Sequence, residues 1–534
     1  MRLLGLFDRP MGLKEKQVLC EKADYAKPLA ALNDDEFQAL EKRLENAGLL
    51  LKSDKSGIRT EWDCHPLIRN YFGQIFRKEE ENAFQQAHRV LFDHYQAVPG
   101  ENYQPDRIEE LEPLYRAVVH GCLAGEYQKA LDVYKDRILR RIEGTNTFQF
   151  YSFFKLGAYA QDLTVISTFF PDIWEAPLSK GLSESNQAWL VSVTSFCLNA
   201  LGCLMETVEV KKNTIKIYDK LGDWNNASIN VNHLIDIYLS IGSLKDAEHV
   251  AQQAIVYADR TDSWQRQERQ VASRARLATT LHRQGHLQES LKHFQEAEKI
   301  QQELQPQYPR LYNEVGASYC NLLLDMAAYT AAQEAVLERG REFFKWRVPG
   351  DSLLDISLDH LTIARALFAL NRFDEAYAEF DEAVRGIRKA EKTNHTPYVL
   401  LARAKFYRHQ KQFPEAWHDL DEAKDIIERC GMKLYAVDAN LLEGNLFLDK
   451  DDGNEATKCY KQAKELIEYT GYHLRDAELE LLAARLAHFE KKSEKTKDYL
   501  NKSYQSIERI GYWGFLAEWE RVRRIILPSD KSPG

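Results

Sequence analysis

Residues Ala364–Ala383, ARALFALNRFDEAYAEFDEA, read as the end of one helix, a tight turn at Asn371-Arg372-Phe373 and the start of a second helix. The same pattern returns at Tyr238 (YLSIGSLKDAEHVAQQA), Leu281 (LHRQGHLQESLKHFQEA), Tyr407 (YRHQKQFPEAWHDLDEA) and Phe447 (FLDKDDGNEATKCYKQA). A small residue follows each turn, at Ala247, Ser290, Ala332, Ala376, Ala416, Ala456 and Thr496, with spacings of 43, 42, 44, 40, 40 and 40. A helix–turn–helix unit repeated about every 40 residues predicts an all-α solenoid, in which each unit buries its apolar face against its neighbours.

Close helix packing explains the small residues. Twelve places upstream stand Ala278, Cys320, Ala364, Ala404, Gly444 and Ala484, where the second helix must approach the first. Seven places downstream stand Ala254, Ala297, Ala383, Ala423, Ala463 and Ser503, where the next unit must approach. A non-repetitive bundle would not keep this register. The order of small, aromatic and turn residues resembles the tetratricopeptide repeat. The units depart from that family in three ways: no Trp opens their helices, they exceed its usual length of about 34 residues, and Arg403 and Glu443 stand at apolar positions.

The formal net charge of −10 argues against broad nucleic-acid binding, which needs Lys and Arg to neutralise phosphate. Eight Cys are scattered without a CxxC pair, so neither a zinc site nor a disulfide framework is expected. No apolar run reaches the roughly 18–20 residues of a membrane helix, and MRLLGLFDRP lacks a cleavage pattern. The expectation is a cytoplasmic protein that binds neither membrane nor nucleic acid.

Residues 1–97 differ from the repeats. Asn33 and Glu36 form a capping-box pattern ahead of a helix that stops at Gly48. Leu49–Lys52 and Arg59–Asp63 read as short strands around a Ser53–Gly57 turn, and a helix opens at Pro66. This is a winged-helix arrangement. Its would-be recognition helix, Asn33–Ala47, carries five acids and two bases, which favours a packing role over DNA binding.

The series LLGLFDRP, LxxLxxAGLL and CHPLIRNYF, followed by a helical solenoid, resembles the C-terminal part of a STAND (NB-ARC-type) signalling ATPase. In that family a winged helix follows the nucleotide-binding domain, and a His at a helix start contacts the β-phosphate of bound ADP. The resemblance implies that role for His65 in Cys64-His65-Pro66-Leu67; Cys64 and Pro66 depart from the family's pattern. Taken alone, a His at a helix start is a capping residue. The chain contains no GxxxxGK[ST] loop, so no cofactor is expected in it. ADP or ATP enters only with a nucleotide-binding domain supplied by another chain or by sequence upstream of Met1. A truncated gene model, a split gene and a stand-alone adaptor each account for that lack.

Residues 98–186 read as an irregular helical linker. A helix pair spans Leu111–Ile142 with Ala130 at the turn place, and an aromatic-rich run spans Phe148–Trp174, read as a core seam rather than a ligand cage. The repeat array follows over residues 187–512, its first turn near Gly202 with Thr207 at the small-residue place. Residues 513–534 read as a capping helix and a disordered tail.

No catalytic signature appears. Gly285 breaks the helix between His282 and His286, and the acids of Lys450–Asn454 are misplaced for a calcium loop, so no metal site is expected. The inner face of the array is more informative. In the tetratricopeptide register the groove column is Asp236, Thr279, Asn321, Arg365, Lys405, Asn445 and Arg485, with Arg408 and His409 one turn on and Leu361, Leu401, Leu441 and Leu481 one turn back. Donors beside an apolar strip suit an acidic peptide or a terminal carboxylate. The alternative is internal pairing of these bases with Asp374, Glu375 and Glu415. The expected function is non-catalytic: the sensor of a STAND-type regulator, with a protein or peptide ligand in the groove on Arg365, Lys405, Arg408, His409, Asn445 and Arg485. The alternative function is a constitutive scaffold with no nucleotide link.

Overall fold

A computed structural model describes residues 1–51, 60–98, 105, 107–140, 149–171, 181–262, 265–348 and 351–527. The expected Ser53–Gly57 turn and the tail from Pro528 lie outside these residues. The chain divides into two compact units, Met1–Gln187 and Ala188–Gly534.

In the first unit, strand β1 (Met11–Gly12) pairs antiparallel with β2 (Glu61–Trp62), setting Met11 opposite Trp62. Helices α1 (Leu13–Lys22), α2 (Asp34–Asn46), α3 (Pro66–Glu79), α4 (Glu81–Ala97), α5 (Glu112–Leu123) and α6 (Tyr127–Val133) follow β1 in chain order, and α1 packs on β1. The capping box of α2 forms as expected: Asn33 Oδ1 accepts from the Glu36 N–H, and Glu36 Oε2 accepts from the Asn33 N–H. No strand forms over Leu49–Leu51 of the expected Leu49–Lys52 run, where the Leu51 N–H donates to the Asp63 carbonyl at 2.8 Å. The ladder goes to Met11–Gly12 instead, because pairing there buries two apolar side chains, Met11 and Trp62, on one face. Ala130 is fully buried where α5 crosses α6, and Gly121 makes that crossing possible: a Cβ there would lie 2.9 Å from the Ala130 Cβ. In the aromatic run Phe153 and Tyr159 stack at 5.3 Å and are buried with Phe169, so these rings are packing.

The second unit is an α-solenoid with tetratricopeptide-like packing. It opens with α7 (Glu184–Ala200) and α8 (Leu204–Lys220), joined by the Lys211 Nζ donating to the Ser192 carbonyl, and its antiparallel pairs begin with α9 (Trp224–Ile241) and α10 (Leu244–Arg260), and α11 (Arg266–Gln284) and α12 (Leu287–Leu304). Next come α13 (Asn313–Met326) with α14 (Thr330–Lys345), α15 (Leu353–Ala369) with α16 (Phe373–Ala390), and α17 (Thr396–His409) with α18 (Phe413–Cys430). The last are α19 (Lys433–Asp449) with α20 (Gly453–Thr470), α21 (Asp476–Phe489) with α22 (Ser493–Ile510), and a terminal α23 (Leu516–Ile526).

The small-residue columns sit at the helix crossings. Ala247, Ser290, Ala376, Ala416 and Ala456 are fully buried, as are Ala278, Cys320, Ala364, Ala404 and Ala484 upstream. Ala332 is the exception, and it is exposed. The α13–α14 connection at Ala327 is extended, so α14 starts late and meets its neighbours through Val336, Leu337, Gly340 and Phe343. The two charged departures are resolved by pairing. Arg403 holds Asp419 of α18 with two hydrogen bonds, and Glu443 accepts from Lys424 of α18 at 2.5 Å.

The array also closes on itself. An added Cβ at Gly202 would lie 2.4 Å from the Cys430 Sγ, and one at Gly242 would lie 2.7 Å from the Thr470 Cγ2. Both glycines have positive φ, +88° and +81°. The turns of early units therefore press against the junctions between late ones. At the far end Gly514 packs on the backbone of Leu324 and Asp325 at the end of α13. Among the described residues no helix is long and apolar enough to cross a membrane.

Candidate functional site: two joined cavities on the inner face

The first helices of the units from α9 to α21 contribute residues to two cavities on their inward faces. The whole sequence-derived column from Asp236 to Arg485 is partly buried. Asp236, Thr279 and Asn321 line a narrow cavity of about 100 Å³. Asn321, Arg365, Lys405 and Asn445 line a larger one of about 440 Å³. The two share Arg283, Asn321, Tyr398 and Tyr435 as walls.

Five of the six expected groove residues meet in the larger cavity: Arg365, Lys405, Arg408, His409 and Asn445. Arg365 donates to Asn321 and, at 3.0 Å, to the Tyr398 hydroxyl, with Asp325 at 3.6 Å. The Lys405 Nζ lies 3.5 Å from Glu478 and 4.0 Å from Asp438. The Arg408 Nε donates to Asp449 at 2.6 Å, and its Nη1 lies 3.6 Å from Glu518. His409 sits against the rings of Phe368 and Phe373, and burial lowers its pKa, reinforced by Arg521 and Arg408. Arg485 is the residue left out of the lining. It lies behind the wall, donating to Asn445 and to Asp449 at 2.6 Å, and so braces Asn445.

The internal acids differ from those the sequence suggested. The bases pair with Asp325, Asp438, Asp449, Glu478 and Glu518, whereas Glu375 pairs with Arg372 on the outer surface. Burial pushes the Asp325 carboxyl up, but the His282 hydrogen bond and the His282 and Arg365 charges together hold it at about 2. The apolar strip is largely buried, with Leu361, Leu401, Leu441 and Leu481 1–4% exposed, yet Leu401, Leu441 and Leu481 line the larger cavity beside the donor column. Rings at Phe368, Tyr398 and Phe515 add to this apolar wall.

Several wall residues escaped the sequence reading. Arg283, Tyr435, Asp438, Arg475, Glu478, Tyr512, Phe515 and Glu518 all face the larger cavity. Arg475 is clamped by Asp438 at 2.6 Å and by Glu478 at 2.8 Å. A signal was present: Tyr398, Asp438, Glu478 and Glu518 recur every 40 residues, as do Tyr435, Arg475 and Phe515. Phe515 and Glu518 thus stand where the first helix of a further unit would place them, and α23 closes the cavity as that helix.

His65 lies elsewhere, in the first unit. It is exposed at the N-terminus of α3, and its Nδ1 accepts from the Leu67 N–H at 3.3 Å. Its ring therefore caps the helix, as any His at that position can.

No protein-family model matches the sequence, and no curated protein matches it. Among solved structures it is similar to a STAND protein with a tetratricopeptide repeat sensor from Pyrococcus horikoshii, with 12% identity, a TM-score of 0.37, and coverage of 98% of this chain and 64% of that one. The chain thus spans less than two thirds of that protein's length. It is also similar to a Rap protein complexed with competence and sporulation factor, with 12% identity, coverage of 82% and 96%, and a TM-score of 0.35. A third is the Rap conjugation gene regulator of the plasmid pLS20 in complex with the Phr* peptide, with 13% identity, coverage of 86% and 97%, and a TM-score of 0.33. Likenesses of this size decide neither the details of the fold nor a function.

Proposed function

We propose that the array is a non-catalytic binding module that takes an acidic protein or peptide segment in its inner cavity, as the sensor of a STAND-type regulator. One observation carries the binding reading. Six cations, Arg283, Arg365, Lys405, Arg408, Arg475 and Arg521, line the larger cavity against four carboxylates, Asp325, Asp438, Glu478 and Glu518, in a protein whose net charge is −10. Concentrated positive potential inside a concave wall attracts and orients an anionic ligand. The test is the double reversal Arg365→Glu with Lys405→Glu, applied to a partner recovered by the wild type from its own cells. Affinity is expected to fall at least 100-fold, with the helical circular dichroism retained. Unchanged affinity in the folded variant would rule out the cavity as the site.

The regulator part rests on residues 1–97 acting as a winged helix and on His65. The β1–β2 ladder flanked by α2 and α3, and a solvent-facing His65 whose Nε2 has no protein partner among the described residues, support it. His65 would meet the phosphate of ADP held by a nucleotide-binding domain on another chain or upstream, and ligand binding would bias that contact only by favouring one state of the array. A wild-type complex with such a domain is expected to respond to exchange of ADP for ATP, and His65→Ala to lose the response. A nucleotide-independent complex points to the second reading, a constitutive scaffold. That reading is favoured by the internal partners which most of the cavity's bases already have.

A further inference from the structure

Arg283 stands apart from the other cavity cations. Each of the remaining five has a carboxylate within 4.0 Å: Asp325 for Arg365, Glu478 for Lys405, Asp449 for Arg408, Asp438 for Arg475 and Glu518 for Arg521. Arg283 has none among the described residues; its Nη1 donates to the Tyr472 hydroxyl at 2.9 Å, and its guanidinium lies 5.8 Å from that ring. It projects from the last turn of α11 into the junction of the two cavities, where it forms part of both walls. A guanidinium cannot escape the cost of burial by losing its proton. A guanidinium in a concave wall with no carboxylate partner attracts an anion more strongly than its paired neighbours do.

The neighbouring hydroxyls point the same way. Tyr398 and Tyr435 share the junction with Arg283, their rings stacked at 6.4 Å. The Tyr398 oxygen accepts from Arg365, which leaves its own proton to give. The Tyr435 hydroxyl has no protein partner among the described residues. Burial pushes the Tyr435 phenol well up and the Tyr472 phenol up to about 12, so both remain donors at neutral pH. By contrast the Tyr472 hydroxyl is committed, accepting from Arg283 and lying 3.4 Å from Asp438. One fixed positive charge and two donor hydroxyls thus meet at the junction, while the acids of the two walls nearest it, Asp236, Glu314 and Asp438, are already paired with Arg276, His395 and Arg475.

We propose that Arg283, Tyr398 and Tyr435 form an oxyanion seat that takes the free carboxylate of the peptide bound in the cavity. The proposal rests on the peptide reading above and adds to it the group recognised and the residue that recognises it. Arg365 and Lys405 then act on the rest of the peptide, while Arg283 reads its terminus. A free inorganic phosphate offers the same oxyanion chemistry, and the experiment separates the two sources.

The full chain is incubated with a mixture of synthetic acidic hexapeptides bearing free carboxy termini, with the same mixture amidated, and with sodium phosphate at matched ionic strength. Retained peptides are identified by mass spectrometry, and phosphate is read from the melting temperature. The wild type is expected to retain free-acid peptides, to retain amidated ones at least ten-fold less, and to gain no more from phosphate than from chloride. Arg283→Gln is expected to lose at least ten-fold in peptide affinity and Tyr435→Phe a smaller factor. Arg283→Gln is also expected to melt no lower than the wild type, since it removes an unpaired buried charge. A merely structural arginine would show the reverse: a lower melting temperature with retention unchanged. Equal retention by wild type and Arg283→Gln overturns the seat and leaves the cavity reading standing. Phosphate stabilisation that needs Arg283, with no peptide retained, overturns the peptide source. Retention of nothing and no response to phosphate overturns both the seat and the cavity reading.

Discussion

Replacing Asp419 with alanine is expected to destabilise the second unit by about 3–5 kcal/mol, the range for stripping one partner from a buried ion pair. Asp419 lies on α18 and is 1% exposed. Its two oxygens accept from the Arg403 Nε at 2.7 Å and Nη2 at 2.8 Å, while the Arg403 Nη1 reaches Asp381 of α16 at 2.6 Å. One guanidinium therefore ties three helices across a unit boundary, and alanine leaves it facing a void where the carboxylate stood. The outer pair Arg388–Glu422 joins the same two units at the surface, and its loss should cost no more than about 1 kcal/mol. The double replacement Arg403→Met with Asp419→Leu is expected to recover most of the loss, because it removes both charges and keeps the volume. Urea melts of the wild type and these three variants measure this directly. An Asp419→Ala cost below that of the surface pair would mean water relaxes into the gap. In a solenoid the damage falls on the neighbouring units first, so the melt is expected to broaden as well as shift.

Arg403 also illustrates what the sequence could and could not disclose. Periodicity exposed it as a charged residue in an apolar place, because register is a local property written every 40 residues. The residue that satisfies it sits 16 positions away on the next helix, and no periodic rule names it. The small-residue columns were legible for the same local reason; Ala332 keeps the spacing but is exposed, because α14 packs through Val336, Leu337, Gly340 and Phe343 instead. The cavity followed the same division. Arg365, Lys405 and Asn445 were legible as one column, and the parallel columns through Tyr398 and Tyr435 were there to be read. The closure of the array was not. Gly202 meets Cys430, Gly242 meets Thr470 and Gly514 meets Leu324 across separations that no local pattern encodes. That closure narrows the groove into a cavity and brings α23 into its wall. The same limit explains why Asp374 and Glu375 stood in for the true acids: they are near in sequence, whereas Asp325 and Asp438 lie on neighbouring units.

Gly514→Ala is expected to release the terminal helix α23 from the array and open the cavity. A Cβ at this position would lie 2.1 Å from the Leu324 carbonyl oxygen and 3.1 Å from the Asp325 Cα. Both are backbone atoms of α13, so no rotamer change relieves the clash and the Trp513–Phe515 turn must lift away. Overpacking of this kind costs about 1–3 kcal/mol. Little opposes the lifting: α23 is anchored by buried Val522 and Ile526, the Trp519 indole donating to the Leu500 carbonyl at 3.1 Å, and the Glu518–Arg408 contact. Lifting it withdraws Phe515 and Glu518 from the wall and leaves Arg408 with Asp449 alone. Trypsin cleavage after Arg521, Arg523 and Arg524 should accelerate at least ten-fold, and the tryptophan emission should shift to the red. Gly511→Ala is the control. Its φ of +83° disfavours a side chain, yet nothing lies within 4 Å of the added Cβ, so it should cost about 1–2 kcal/mol without exposing those sites. If both variants are cut at the wild-type rate, α23 is held by contacts other than the Gly514 approach. If both are cut equally fast, backbone strain in the turn rather than the clash with α13 governs the opening.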